Sequence, residues 1–236
     1  MWVKYSGEKN RQFSIFGVNP KGIKMSRTST NTNYSRVPNP VRYFISYSGA
    51  NGTFSYWDKD AKERVEIGNS VDLVLMDTRS AVTGWSEEFG GRIFSNRVKS
   101  TTKEQFNVRC GKNAISEGLW ADIKDRVKTA GGKFCTDVFA LANVNGSWEP
   151  VQLELSGASL GDWMTMLDEV GGRNSLYSVV LTMSKGEQKK KGAVKFFGLT
   201  FSNAELDSKL SEQANIFNDD MLQPYLSEGA PTATAV

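Results

Sequence analysis

Histidine is absent from the sequence, and this absence removes much of the common chemistry of enzymes. Histidine is the most frequent general base near neutral pH and the most frequent metal ligand. A Ser-His-Asp triad, a Cys-His pair and a histidine-bound zinc site are therefore excluded. The phosphate-binding motif GxxxxGK[ST] is absent too, since the Gly-Gly-Lys at 131–133 ends a predicted helix instead of beginning one. We accordingly expect a protein that is not an enzyme and needs no cofactor.

Cysteine and long apolar runs are also scarce. Cys110 and Cys135 are the only cysteines, and neither lies in a CxxC pair, so we predict that both are small buried side chains. No run approaches the roughly 18 consecutive apolar residues of a membrane-spanning helix. The first residues lack the apolar segment of a signal peptide. These absences predict a soluble, cytoplasmic protein with no membrane partner.

Charge is present at both ends of the chain, with opposite sign. Residues 1–53 contain eight Lys and Arg against one acid, a net charge of +7. Residues 199–236 contain six acids against one Lys, a net charge of −5. Such asymmetry indicates either a polyanionic partner or merely a solvated basic arm and a solvated acidic helix. The sequence leaves both interpretations open.

Composition along the 236 residues predicts one structured domain with appendages. Residues 1–40, rich in Ser, Thr and Asn, predict a flexible basic arm. A β-rich domain is expected over 41–201, followed by an acidic C-terminal helix over 202–223. The small polar residues of 224–236 predict a disordered tail.

Apolar periodicity and turn residues predict the individual elements. Within 71–108, alternating apolar positions and flanking glycines favour two strands joined by a loop. Asn145-Gly146 is the strongest short hairpin signal in the chain. The remaining predictions are a hairpin over 43–58, a helix over 114–130, a helix over 159–170, a hairpin over 176–201 with its tip at 184–192, and a helix over 203–222.

The order of these elements matches an OB fold. A hairpin, two further strands, a helix and a closing hairpin follow one another over 43–156, as in a five-stranded barrel plugged by a helix. The predicted fold class is therefore α+β, mainly antiparallel β, with an OB-fold-like five-stranded barrel, an added hairpin and two or three helices. A generic antiparallel α+β domain gives a similar string and remains the alternative.

Aromatic residues beside cations supply the candidate binding site. Bases of a single-stranded nucleic acid stack on rings while its phosphates contact the charges. The candidates for stacking are Trp57, Trp85, Phe89 and Phe94. The candidates for phosphate contacts are Arg42, Arg92, Arg97 and Lys99. Each aromatic could equally be part of the core.

Several motifs resemble those of a family of phage-encoded proteins of unassigned function. They are YWDKD at 56–60, VTGWSEE at 82–88, IFSNRV at 93–98, EGLWADIKD at 117–125, GGKF at 131–134 and SGASLGDW at 156–163. More loosely, the chain is similar to phage single-stranded DNA-binding proteins of the OB-fold kind. This resemblance implies a role in phage DNA replication or recombination, in the cytoplasm of the host cell, with replication or recombination proteins as further partners.

The leading hypothesis is thus a single-stranded DNA-binding protein with little sequence specificity. The alternative is a non-enzymatic phage protein that binds and inhibits or recruits a host protein through exposed aromatics. A nuclease that holds Mg²⁺ with Asp58, Asp60 and either Asp72 or Asp77 is a third hypothesis, although Asp58-Lys59-Asp60 is typical of a turn. Lys189 to Lys191 form either a solvated cluster or a phosphate-contacting finger. Sequence does not fix the oligomeric state or a preference for DNA over RNA.

Overall fold

The computed structural model describes residues 37–58 and 61–228. The predicted basic arm up to residue 36, Asp60 of the candidate magnesium site and residues 229–236 of the predicted tail lie outside the described residues.

Strands dominate the described part of the chain. They are β1 (Tyr43–Ser48), β2 (Thr53–Asp58), β3 (Glu63–Gly68), β4 (Ser70–Ser86), β5 (Gly91–Ser95), β6 (Phe106–Cys110), β7 (Asn113–Gly118), β8 (Gly132–Val144), β9 (Ser147–Ser156), β10 (Val179–Lys191) and β11 (Val194–Glu205). Helices lie between some of the strands and after the last one. They are α1 (Trp120–Thr129), α2 (Ala158–Glu169), a 3₁₀ turn (Arg173–Leu176), α3 (Ser208–Phe217), a π-helical turn (Asn218–Leu222) and α4 (Gln223–Glu228). None of the described helices is long and apolar enough to cross a membrane.

All the described strands belong to one open sheet. Its main path runs β3-β2-β1-β9-β8-β4-β5-β6-β7, and the β10–β11 hairpin joins the Ser70 end of β4. The pairing of β1 with β9 is parallel, and the other pairings are antiparallel. The prediction of a five-stranded OB-fold barrel is therefore wrong, because the sheet does not close.

The length of two strands explains why the barrel does not form. β4 has 17 residues and β8 has 13, and they pair from Leu73 and Ala142 at one end to Gly84 and Gly132 at the other. On its other edge β4 pairs with β10 near Ser70 and with β5 near Ser86. One long strand thus serves two separate groups of neighbours, whereas a small barrel needs short strands that curl around a single axis.

Several local predictions also differ from the structure. Residues 224–228, predicted as part of a disordered tail, belong to α4, where Leu226 is buried. Residues 203–205, predicted as the start of a helix, end β11, and α3 begins at Ser208.

Residues 114–118, predicted as the start of a helix, belong to β7, which pairs with β6, and α1 begins only at Trp120. Gly118 between them has a φ of 144°, a backbone conformation unsuited to helix. Lys189 to Lys191 lie within β10 and not in a loop, so the tip of that hairpin is shorter than predicted.

The hydrophobic residues form three clusters on the two faces of the sheet. We call the face that carries Val138 and Ala140 the inner face, and the face that carries Asp137, Phe139 and Leu141 the outer face. One inner cluster lies under α2, and a second, around Phe106, lies under α1. The third lies on the outer face, where residues 208–228, the C-terminal helical segment, bury Leu222 and Leu226. Cys110 and Cys135 are buried, as predicted.

Candidate functional site

The four aromatic residues predicted to stack with bases are all exposed. The exposed fractions are 54% for Trp57, 55% for Trp85, 40% for Phe89 and 47% for Phe94. Trp85 is near the end of β4, Phe94 is in β5, Trp57 is in β2, and Phe89 is in the turn between β4 and β5. Their rings are thus accessible to a partner, although not all at one place.

Trp85, Arg92 and Phe94 lie together, and we call them the strand 4–5 cluster. Trp85 is directly opposite Arg92 in the β4–β5 pairing, and Phe94 is opposite Thr83. Residues two apart on a strand share a face, and diagonal neighbours across a pair lie about 7–8 Å apart. Two exposed rings and one guanidinium, whose side chain is 72% exposed, therefore share the outer face.

Two further cations border this cluster, and sequence reasoning did not identify them. Arg109 in β6 is opposite Phe94, and Lys133 in β8 is opposite Thr83. Both side chains are exposed. The row Arg109, Phe94, Thr83, Lys133 crosses four strands on one face. The alternation within β6 and β8 gives the face of each residue, but the order of the strands is needed to bring the two cations to the aromatics.

Arg97 is not a free cation. Its Nε donates to Asp137 Oδ2 at 2.6 Å, its Nη2 to Gln152 Oε1 at 3.1 Å, and its Nη1 to Tyr225 Oη at 3.2 Å. Burial lowers the pKa of Arg97, but the charge and hydrogen bond of Asp137 outweigh burial, so the pKa is raised. The guanidinium links the sheet to the C-terminal helical segment, and each of its three nitrogens already donates a hydrogen bond to a protein group.

The other predicted residues lie away from the strand 4–5 cluster. Arg42, just before β1, donates from Nη1 to Glu149 Oε1 at 2.7 Å, and this hydrogen bond raises the pKa of Arg42. Lys99 is exposed in the loop between β5 and β6. Phe89 borders a cavity of about 380 Å³ beside Arg126 and Thr129 of α1. The structure therefore brings Trp85, Arg92 and Phe94 together and leaves Arg42, Phe89 and Lys99 apart from them.

The described residues contain one group with the ligand types and spacing of a metal site. The candidate ligand atoms of Cys135, Asp137 and Glu154 lie within 4.8 Å of one another on the outer face. Arg97 pairs with Asp137, and Arg92 Nη2 lies 3.8 Å from Glu154 Oε2. Burial raises the pKa of the Cys135 thiol, which opposes the thiolate that a metal needs. Two guanidiniums thus already compensate the two carboxylates.

The described carboxylates of the candidate magnesium site each have another partner. Asp58 accepts a hydrogen bond from the Ala61 N–H, as expected in a turn. Asp72 accepts one from Thr182 Oγ1, whereas Asp77 accepts hydrogen bonds from the Arg79 guanidinium.

No protein-family model matches the chain, and neither a curated protein nor a solved structure matches it. The function is therefore inferred from the geometry of the candidate site itself.

Proposed function

We propose that this protein binds single-stranded DNA with little sequence specificity through the strand 4–5 cluster. The observation that supports the proposal is the position of Trp85 and Phe94, two half-exposed rings beside the Arg92 guanidinium on an open sheet face. Base faces are available for stacking only when the strand is unpaired. An open sheet suits this role as well as a barrel does, since RNA-recognition domains stack bases on the aromatics of an open sheet.

The energies of such contacts make the strand 4–5 cluster sufficient for weak binding only. Each stacked base contributes about 1–3 kcal/mol, so two rings supply about 2–6 kcal/mol, less than the roughly 8 kcal/mol of micromolar affinity. Phosphate contacts by Arg92, Arg109 and Lys133 would supply the remainder at low salt, where counterion release is most favourable. Binding should therefore weaken steeply as the salt concentration rises.

The biological setting of this proposal is phage DNA replication or recombination in the host cytoplasm, with replication or recombination proteins as further partners. The resemblance of the sequence motifs to those of phage-encoded proteins supports this setting. Sequence-specific contacts with the bases are not required, since such proteins bind any exposed single strand.

Fluorescence anisotropy with a 20-nucleotide single strand and the matching duplex, at 50 and 200 mM salt, tests the proposal. We expect tighter binding of the single strand at both salt concentrations, and a weaker complex at 200 mM. Trp85→Ala and Phe94→Ala should each lower the affinity about 5- to 150-fold. Met164→Ala is the matched control, because Met164 is an equally exposed apolar residue on α2. Equal binding of both forms, or no binding at low salt, would show that the proposal is wrong.

A further inference from the structure

A second exposed aromatic cluster lies toward the other edge of the sheet. Phe44 in β1 is 44% exposed, and Trp57 in β2 has more than half of its surface in solvent. Ile45 pairs with Tyr56, and this register, continued by one residue, brings Phe44 beside Trp57. Trp57 is in turn opposite Arg64 of β3. We call Phe44, Trp57 and Arg64 the strand 1–2 cluster.

The strand 1–2 cluster and the strand 4–5 cluster share the outer face. Phe44 is opposite Gln152, and Gln152 is opposite Phe139, which lies on the outer face. Glu154, two residues from Gln152, lies 3.8 Å from Arg92 of the strand 4–5 cluster. No register shift interrupts the pairings of β1 with β9 or of β9 with β8. The two clusters thus lie on one uninterrupted sheet face; Gln152 between them is buried, and we call the partly exposed Glu154 and Arg97 beside it the connecting surface.

The C-terminal helical segment covers the outer face to one side of this connecting surface. Its buried residues pack on Val74, Met76, Phe139 and Leu141. It reaches the connecting surface through Tyr225, whose hydroxyl accepts a hydrogen bond from Arg97. The Arg97 and Glu154 side chains remain 30% and 36% exposed. A single DNA strand that runs from Phe44 to Phe94 would therefore pass beside the C-terminal helical segment.

The charges along the connecting surface do not prevent a phosphate backbone from following it. Asp137 and Glu154 are acidic, but Arg97 pairs with Asp137 and Arg92 lies beside Glu154. At each end a guanidinium accompanies the aromatics, Arg64 at one cluster and Arg92 at the other. Stacking at the two ends with a nearly neutral centre suits a single strand better than it suits a duplex, whose bases are inaccessible.

We propose that the two clusters bind one and the same DNA strand, so that the site takes an extended single strand and not a mononucleotide or a short loop. This inference rests on the proposed function. Along a flat sheet, four strand spacings of about 4.8 Å and six residues of about 3.3 Å would put Phe44 about 28 Å from Phe94, and this is an upper limit because the Arg92–Glu154 contact requires the sheet to bend. At about 3.4 Å per nucleotide, at most about eight stacked nucleotides span this distance.

Oligothymidines of 4 and 16 nucleotides separate one long site from two independent ones. The wild type should bind one 16-mer but two 4-mers per chain, and the 16-mer should bind far more tightly than either 4-mer. Trp57→Ala should lower the affinity for the 16-mer about tenfold, and Phe44→Ala should have an effect of the same kind. Both replaced side chains are exposed, so neither change should disturb folding, and Met164→Ala again serves as the control.

The outcomes distinguish this inference from the proposed function. If Trp85→Ala weakens binding of the 16-mer while Trp57→Ala and Phe44→Ala leave it unchanged, the proposed function stands and the extended site is wrong. Binding of two 16-mers per chain would also contradict the extended site. If the wild type binds neither oligonucleotide, the proposed function is wrong and the inference is wrong with it. A tenfold loss for both Trp57→Ala and Trp85→Ala, with one 16-mer per chain, would support both.

Discussion

On β2, Phe54 and Tyr56 are buried in the inner core, whereas Trp57, the next residue, points to the outer face and stays half exposed. The same contrast recurs at the other end of the sheet, where Ile93 is fully buried and Phe94 is not. Inner-face aromatics are explained by packing, since burial of a large ring stabilises the fold. The exposed aromatics of the outer face gain little from the fold, and we therefore look for their partner outside the chain.

The centre of the outer face is covered by another part of the chain, whereas the two aromatic clusters on that face are not. There Phe139 and Leu141 are buried beneath Leu222 and Leu226 of the C-terminal helical segment. Apolar side chains therefore lie at the centre of the outer face and toward both of its ends, and the C-terminal helical segment covers those at the centre. The strand 1–2 and strand 4–5 clusters are the parts that this segment leaves uncovered.

Replacing one buried and one exposed tryptophan tests this difference between the two faces most directly, and it has the largest expected effect. Trp163, on α2, is 1% exposed and packs in the inner core, so Trp163→Ala should lower the free energy of unfolding by about 3–5 kcal/mol. Trp85→Ala should change it by no more than about 0.5 kcal/mol. Urea unfolding followed by circular dichroism measures both. A loss at Trp85 as large as that at Trp163 would mean that Trp85 belongs to the core.

A smaller effect is expected at the polar contact between the sheet and the C-terminal helical segment. Asp137→Ala leaves the Arg97 guanidinium without its carboxylate, and we expect a loss of about 2–3 kcal/mol, below the 3–5 kcal/mol of fully buried pairs because Arg97 is partly exposed. Glu149→Ala breaks the pair with the exposed Arg42 and should cost no more than about 1 kcal/mol. Equal losses for the two variants in urea unfolding would contradict the structural role of Arg97.

Glu154 on the outer face should make stability depend on pH. Burial, and then the charge of Asp137, raise the pKa of Glu154, so the folded protein holds this proton more tightly than the unfolded chain does. The ionised carboxylate therefore reduces stability once the pH exceeds its ordinary pKa of about 4.3, and the reduction is complete above the raised pKa. Glu154→Gln should accordingly gain stability relative to the wild type at pH 7, and the gain should shrink toward pH 4. Thermal unfolding across this range measures the difference, and a gain independent of pH would argue against the assignment.

The smallest effect is expected at the lysines of the β10–β11 hairpin. Lys189 Nζ contacts Asp162 Oδ1 at 2.6 Å, so it is not a free phosphate ligand. Lys190 and Lys191 lie beyond the Ser70 end of β4, whereas Trp85 is near the opposite end, about 50 Å away along the strand. Replacing Lys190 and Lys191 with Ala should leave the slope of log affinity against log salt unchanged. A slope reduced by about two would instead identify these lysines as phosphate contacts.

Local signals in the sequence predicted several elements correctly. Asn145-Gly146 forms the tight turn between β8 and β9, and both residues have the positive φ that such a turn requires. Alternation predicted β4 and β5, and apolar residues three and four positions apart predicted most of α2. The same spacing led to a wrong prediction at Ile115. This residue is in helical register with Ile123 and Val127 but lies in β7, because pairing with β6 overrides the helical pattern.

The sequence does not predict which strands become neighbours in the sheet. Periodicity indicates the face of a residue and carries no information on its partner strand. Arg97 was predicted to contact phosphate because the sequence does not reveal its partner, Asp137, which is 40 positions away on β8. Alternation within β1 indicates that Phe44 lies on the face opposite Tyr43 and Ile45, but only the β1–β2 register shows that it lies beside Trp57.

The parallel pairing of β1 with β9 also bears on how the chain folds. Ile45 meets Leu153 across a separation of about 100 residues, and contacts of such long range slow folding because the loop between them must be closed first. During synthesis the β1–β2 hairpin emerges well before β9, and until then the edge of β1 that β9 later occupies offers unpaired backbone groups. Such an edge can pair with another chain. The N-terminal hairpin should therefore be the last part of the sheet to become protected from hydrogen exchange during refolding, and the part most prone to aggregate when refolding is slow.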